Sequence, residues 1–424
     1  MNEHAFPELE AAAQAGDVDA QCELGHVFRE GRHDRAVDLE EALRWYDRAA
    51  RQGHQAAAFN VGLLALRGLP QSGIAPRPDL AMPALEFAAN HGDEKATCLL
   101  GEALITGEGG VPRDPNRGRR LLEVSAEAGS ALAMNCLGGH LMDGGLPQNP
   151  AAANGWFKRA AQLEDPPGLF NLGVSLLEGR GLDVNAELAR KLFAHAARKH
   201  HPPAMYALAV MMVEGRGGPA KPQAGSRLLL EAARAGDASA QFQMGEVLRE
   251  GLGGAERDPV GAVNYYRLAA ERGHPDALYA LGVCLEQGIG AVADVAAASG
   301  CYRRATAAGH PGAAHNLGVM AARGEGIARD PVMAEALFEF AVASGHVGAL
   351  TSLAALQASI GRLEDACATA HVSAQRQPEG QGAALAAQLE DRLDEAARQR
   401  ARERAAVWEP PASPHLPAGI AARH

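Results

Sequence analysis

Six turns of the form Gly-x-Gly, opening at Gly107, Gly179, Gly215, Gly251, Gly288 and Gly324, are the stretches of this chain that look most like chemistry. Glycine turns cradle phosphates on their backbone N–H groups when they continue to G-x-G-x-x-G or G-x-x-x-x-G-K-[ST] between a strand and a helix. None of the six continues that way, and no strand pattern precedes them. The sixteen histidines are the second set. His310 and His315 are offered as base or ligand, and His195, His200 and His201 crowd one helix end and the next turn. A metal there needs further Cys or His donors, and no such pair is spaced to complete the shell. There is no H-E-x-x-H, no G-x-S-x-G and no Cys-His arrangement above background. The residues therefore imply no catalytic group, no metal and no cofactor. What regular element places them is the better question.

A single template fits the chain nine times, anchored on Gly25, Gly62, Gly101, Gly138, Gly173, Ala209, Gly245, Gly282 and Gly318, with anchors 35 to 39 residues apart. Such self-similarity marks a repeat array. Six residues after every anchor stands another glycine, from Gly31 to Gly324. Eight residues before it stands Asp17, His54, Asp93, Ser130, Asp165, His201, Asp237, His274 or His310. The minus-eight residue sits where a helix starts, and a short polar side chain there accepts from an orphan N–H. Pro follows it in Asp165-Pro166, His274-Pro275 and His310-Pro311, as suits a first helical turn. A mid-helix glycine costs roughly 1 kcal/mol against Ala, so a recurring one predicts a neighbouring helix too close for a Cβ. The plus-six glycine ends the helix. A histidine that alternates with Asp and Ser at minus eight is read as a cap.

A second helix follows in each copy, entered through Asp114-Pro115, Asn149-Pro150, Asp258-Pro259 or Asp330-Pro331, and Asp38 with Glu41 approximates a capping box. Its body carries a bulky pair and then a small pair, as in Trp45-Tyr46 with Ala49-Ala50 and Tyr265-Tyr266 with Ala269-Ala270. That is large knobs beside small holes at helical spacing.

These residues resemble the Sel-1-like repeat, a longer-looped relative of the tetratricopeptide repeat. The best copy is DASAQFQMGEVLREGLGGAERDPVGAVNYYRLAAERG, Asp237 to Gly273. The resemblance implies an all-α fold, a right-handed α-solenoid of stacked antiparallel helix pairs. Departures are local: Ala209 replaces an anchor glycine, Glu164 and His200 replace a second-helix terminal glycine, and LPQSGIAPRPDL lengthens the loop of the second copy. The expected organisation is an N-terminal capping helix over 1–16, nine Sel-1-like repeats over 17–345, a terminal tetratricopeptide-like repeat over 346–380, a charged helix over 381–408 and a disordered tail over 409–424. The helix, with Leu385, Leu389 and Leu393 at four-residue spacing and Arg398, Arg400, Arg402 and Arg404 behind them, reads as a cap on the last repeat, a partner-binding helix or a solvated one.

Bulk properties agree. Hydrophobic residues make up 47% of the 424, aromatics only 4%, and the Ala- and Leu-rich remainder suits close helix packing. A net charge of −11 argues against general nucleic-acid binding. The N-terminus shows no basic patch followed by an apolar run, and no apolar stretch is long enough to span a bilayer. With six cysteines and no C-x-x-C, the usage looks cytoplasmic. High Ala, Gly and Arg usage suggests a bacterium with a GC-rich genome. Cys284 and Cys301, at apolar positions on the two helices of one repeat, read as packed thiols, although some secreted Sel-1-like proteins staple each repeat with a disulfide. His140 stands where other repeats place Val or Met, and reads as a core imidazole.

Shape is then the function. By analogy with the tetratricopeptide helix, the position three before the anchor faces a concave groove suited to an extended peptide or helix. It holds Phe59, Phe170, Tyr206, Phe242, Tyr279 and His315, with Asn60, Asn171 and Asn316 one residue further on. The rings serve either as peptide contacts or as packing between first helices. The asparagines bond either a bound backbone or their own surroundings. The expectation is a non-enzymatic scaffold or adaptor for a protein or peptide partner. The alternative implied by the family is a cell-envelope enzyme of the weak penicillin-binding or β-lactamase type.

Overall fold

In the computed structural model, which describes residues 5–33, 35–68, 75–252 and 255–409, the chain is all-α. Its described residues form twenty-three α-helices and no strand. The helices fall into two compact units, Met1–Pro222 and Gln223–His424. In the first, α1 (Ala5–Gln14) precedes the hairpins α2 (Val18–Glu30) with α3 (Leu39–Arg51), α4 (Gln55–Arg67) with α5 (Pro78–Asn90), and α6 (Glu94–Thr106) with α7 (Pro115–Glu127). These are followed by α8 (Ala131–Asp143) with α9 (Pro150–Gln162), α10 (Pro166–Glu178) with α11 (Ala186–Arg198), and then α12 (Pro202–Glu214). The second contains α13 (Pro222–Arg234), α14 (Ala238–Glu250) with α15 (Pro259–Glu271), α16 (Pro275–Gln287) with α17 (Val295–Ala307), and α18 (Pro311–Arg323) with α19 (Pro331–Ala343). It ends with α20 (Ala349–Ser359), α21 (Leu363–Arg376), α22 (Gly382–Glu390) and α23 (Glu395–Ala406). Within each unit the hairpins stack on one another in chain order, as in an α-solenoid.

The caps explain the helix bounds. Asp17, Asp93, Ser130, Asp165 and Asp237 each accept from the backbone N–H three residues on. His54, His274 and His310 do the same through Nδ1, from Ala57 at 3.1 Å, Ala277 at 3.3 Å and Ala313 at 3.0 Å. An imidazole in that role must be neutral, with its proton on Nε2. At the other end, glycines such as Gly179 (φ 74°) and Gly288 (φ 70°) turn left-handed and stop the first helix.

The anchor glycines mark a close approach. A Cβ on Gly173 would lie 2.6 Å from Cε1 of Phe193, and one on Gly282 would lie 2.6 Å from Cε1 of Tyr302. The second-helix knob thus rests directly on the first-helix backbone. Tyr46, Tyr266 and Tyr302 are fully buried by it; beneath Gly62 and Gly101 the knob is Leu85 and Leu122. Four of the Gly-x-Gly turns are explained in the same way. A Cβ on Gly326 would lie 2.6 Å from the carbonyl oxygen of Val295, and Gly181, Gly217 and Gly290 press likewise on Pro150, Ala186 and Pro259. Each of these residues starts the second helix of the preceding hairpin, so the second glycine lets one repeat seat on the last.

Glu164 and His200, in place of glycine, keep the left-handed turn at φ 56°. The single helix expected over 381–408 is instead two, α22 and α23. Asp394 starts a new helix by accepting from Ala397 N at 2.8 Å, which ends continuity across 391–394. Leu389 is buried, and Leu385 and Leu393 are half-buried, against Ala354, Cys367 and Ala401. The arginines are exposed but paired: Arg400 with Glu364, Arg402 with Glu390 and Arg404 with Asp365. α23 therefore lies on α21, covering the last repeat. Residues 69–74 of the long second loop, residues 1–4 of the N-terminal segment and 410–424 of the expected tail lie outside the described residues.

Candidate docking face of the first helices

The minus-three side chains named above are half-buried, and four of them, Phe170, Phe242, Tyr279 and His315, are held between two rings. Phe170 lies 5.7 Å from the Phe193 ring of its own hairpin and 5.5 Å, edge-on, from His201. In the second unit Phe242 lies 6.0 Å from Tyr266 and stacks at 5.1 Å on His274. Tyr279 lies 5.9 Å from Tyr302 and stacks at 4.5 Å on His310. His315 lies 5.7 Å from Phe338 and 5.0 Å from His346, and its Nε2 is 2.9 Å from Ser352 Oγ on α20. Each ring is packed between its own knob and the imidazole that opens the next repeat, and presents its remaining surface outward. Phe59 packs on the cluster around Leu85 and Ala96, and Tyr206 is half-buried on α12.

The asparagines are engaged within the protein. Buried Asn60 accepts from Arg29 Nη1 at 3.0 Å and donates to the Ala56 carbonyl at 2.9 Å. Asn171 donates to Asn135 Oδ1 at 3.3 Å, and Asn135 in turn donates to Asp165 Oδ2 at 2.8 Å. Asn316 hydrogen-bonds the Tyr302 hydroxyl, which itself donates to Glu286 Oε2 at 2.6 Å.

The Sel1 repeat pattern matches residues 18–54, 95–130, 131–165, 166–201, 202–237, 238–274, 275–310 and 311–346, more than half of the chain. The chain belongs to the Sel1 repeat family. Sel1 repeat proteins are in general protein-interaction scaffolds, and their fold is typically non-catalytic. The stretch between the first two matches, with its long loop, is left unmatched. The chain is similar to the crystal structure of c5321, a protective antigen of uropathogenic Escherichia coli strains. That likeness has 23% identity, covers 96% of this chain and 94% of that one, and has a TM-score of 0.43. A Sel1 repeat protein from Oxalobacter formigenes is 27% identical over 74% of this chain and 90% of its own, with a TM-score of 0.47. The immunity protein Pa5087 from Pseudomonas aeruginosa is 18% identical over 50% and 82%, with a TM-score of 0.39. No curated protein matches. Among the described residues, no helix is long and apolar enough to cross a membrane.

Electrostatics across these Sel1 repeats follows from burial. Burial pushes His274, His310 and His346 below the usual imidazole range, with Asp276 pulling His274 and His310 the other way. His315 falls to about 4, through burial and then its neighbour His346. These rings are neutral packing groups at neutral pH. Sequence reasoning treated the minus-eight histidines as caps alone and missed them as ring partners. The signal was present as a pairing: an aromatic or His at minus three precedes a His opening the next repeat in Phe170/His201, Phe242/His274, Tyr279/His310 and His315/His346. Cys284 and Cys301 are free thiols, one buried and one half-buried. His140 is half-buried, with Nδ1 against Gly145. His195 and His200, with His201, acquire no Cys or carboxylate ligand set among the described residues.

Proposed function

We propose that this protein is a non-enzymatic scaffold or adaptor whose first-helix face docks a peptide or helix of a protein partner. Phe59, Phe170 and Tyr206 act in the first unit, and Phe242, Tyr279 and His315 in the second. The observation that carries this reading is the double packing of Phe170, Phe242, Tyr279 and His315; Phe59 and Tyr206 join them by their shared offset. Rings that are fixed before binding lose little rotamer entropy on contact, which is what makes Tyr and Phe good anchors. Asn60, Asn171 and Asn316 are supporting residues: each already has a partner within the protein, so a bound backbone would have to share it.

The experiment is a cross-linking pull-down from the native cell with wild type and with Phe242→Leu/Tyr279→Leu/His315→Gln, whose fold is checked by far-ultraviolet circular dichroism. Loss of specific partners from the folded variant is expected. Recovery of the same partners at the same yield would place the docking surface elsewhere.

A further inference from the structure

Away from the first-helix face, one cluster gathers three side chains of ligand type. Cys367 and His371 are four residues apart on α21, so both lie on one helix face. That face meets Glu390, the last residue of α22. A donor atom from each of the three lies within 4.8 Å of the other two, and His371 Nε2 is 2.9 Å from Glu390 Oε1. Cys367 is fully buried and the other two are half-buried. Around tetrahedral zinc, with bonds of about 2.0–2.3 Å, donors stand roughly 3.5 Å apart. Small side-chain rotations therefore bring all three onto one ion. A thiolate, an imidazole and a carboxylate suit zinc or cobalt, and not magnesium or calcium, which take oxygen donors.

We propose that Cys367, His371 and Glu390 bind one divalent cation of the zinc class, with water in the fourth position. Coordination replaces the Cys367 S–H proton with the metal, so one proton leaves to solvent and nothing is oxidised. Burial raises the Cys367 thiol and Glu390 adds to this, while Arg402 and Arg398 oppose it; that proton is one barrier the ion must overcome. The other is the pair of donors already on Glu390 Oε1: His371 Nε2, whose proton must move to Nδ1 if that nitrogen is to bind the ion, and Arg402 Nε at 2.8 Å. Arg398 Nε donates to the Glu390 carbonyl at 2.7 Å and leaves the carboxylate alone. Arg402 is thus the competitor for the ion's oxygen ligand. The pair Cys367-x-x-x-His371 is legible in the sequence; Glu390 is not, because it arrives from another helix.

The full chain is titrated with Co²⁺, followed by Zn²⁺ as the displacing ion. The expected result is one Co²⁺ per chain with a thiolate-to-cobalt charge-transfer band, abolished by Zn²⁺ and absent in Cys367→Ser but retained in Cys301→Ser. Arg402→Gln should tighten Co²⁺ binding severalfold by freeing Glu390. No band in wild type, a band that survives in Cys367→Ser, or an Arg402→Gln affinity no tighter than wild type each overturns the proposal. Should Cys367→Ser fail to fold, the Arg402→Gln titration decides alone.

Discussion

Two stretches built on one template solve the same packing problem with different chemistry. From Phe242 to His346 the first helix offers a ring, the second helix supplies an aromatic knob (Tyr266, Tyr302, Phe338), and the next repeat closes the stack with an imidazole. From Phe59 to Asp165 two of the knobs shrink to Leu85 and Leu122. In that stretch one junction is polar, Asn135 donating to Asp165 Oδ2 at 2.8 Å. The minus-three and minus-eight positions thus form one slot between consecutive repeats, filled ring on ring or amide on carboxylate. The difference teaches that the backbone template tolerates several fillings, and the two positions need not match in kind, since Phe59 is followed by Asp93 and Tyr206 by Asp237 at the same offsets.

The largest effect should come from the aromatic knobs. Tyr302→Ala removes a ring with no exposed surface and should cost about 3–5 kcal/mol, as for other buried aromatic truncations. Tyr302→Phe keeps the ring and forfeits the hydroxyl bonds to Glu286 and Asn316, a loss of about 1–2 kcal/mol. Leu122→Ala should fall below Tyr302→Ala, since fewer contacts vanish. Urea midpoints measure all three. Equal losses for Tyr302→Ala and Tyr302→Phe would mean that the hydroxyl, and not the ring, holds the hairpin.

The next effect separates the two stretches by pH. His274, His310, His315 and His346 have folded pKa values depressed by burial. In the unfolded chain they take up protons more readily than in the folded one, so their contribution is complete above the ordinary value of 6.5 and is lost as pH falls toward about 4, the value for His315. Protonation also fills Nδ1 and removes the cap acceptor of His274 and His310. The groups facing them temper this: Asp276 and Asp237 favour protonated His274, and Asp276 favours protonated His310. Urea midpoints should therefore drop across this window, and the double variant His274→Asn/His310→Asn, which keeps a capping side chain, should drop less. A variant that loses as much as wild type would assign the acid sensitivity to carboxylates instead.

Much of this organisation can be read from residue types. Eight of the nine expected caps, the left-handed stops and the anchor glycines are local, so a single position announces each one, and Gly282 with its plus-six partner Gly288 needs no other part of the chain to be recognised; the ninth, His201, opens its helix without a side-chain cap bond and its ring packs on Phe170 instead. The ring stacks were half legible: Tyr279 was picked out by its offset, but its contact with His310 joins two repeats and shows only when their offsets are compared. The asparagines misdirect for the same reason, since Asn60 finds its partner in Arg29, thirty-one residues away. The break between α22 and α23 turns on one capping residue, Asp394, inside an otherwise helical run. Glu390 could not be joined to Cys367 and His371 without knowing that α22 folds back on α21.

The smallest effect tests how strictly the shared template is kept where one copy hands over to the next. Glu164 and His200 hold φ at 56°, where other copies use glycine, as at Gly129 (φ 104°) and Gly273 (φ 79°). A Cβ in that region carries a steric cost of roughly 1–2 kcal/mol, partly offset by the extra entropy glycine loses on folding. His200→Gly and Glu164→Gly should each stabilise by about 0.5–1 kcal/mol in net terms, read as a higher urea midpoint. Glu164→Gly also gives up the pair with Lys199 at 2.8 Å, but both partners are solvated, with side-chain exposures of 63% and 36%, and such pairs contribute little. His200→Gly is therefore the cleaner measurement. If it stabilised while Glu164→Gly did not, the Lys199 pair would be the reason that repeat keeps its glutamate. If neither stabilised, the left-handed turn would be imposed by the stacked helices at no cost to the side chain, and the glycines at the other junctions would owe their place to something other than φ.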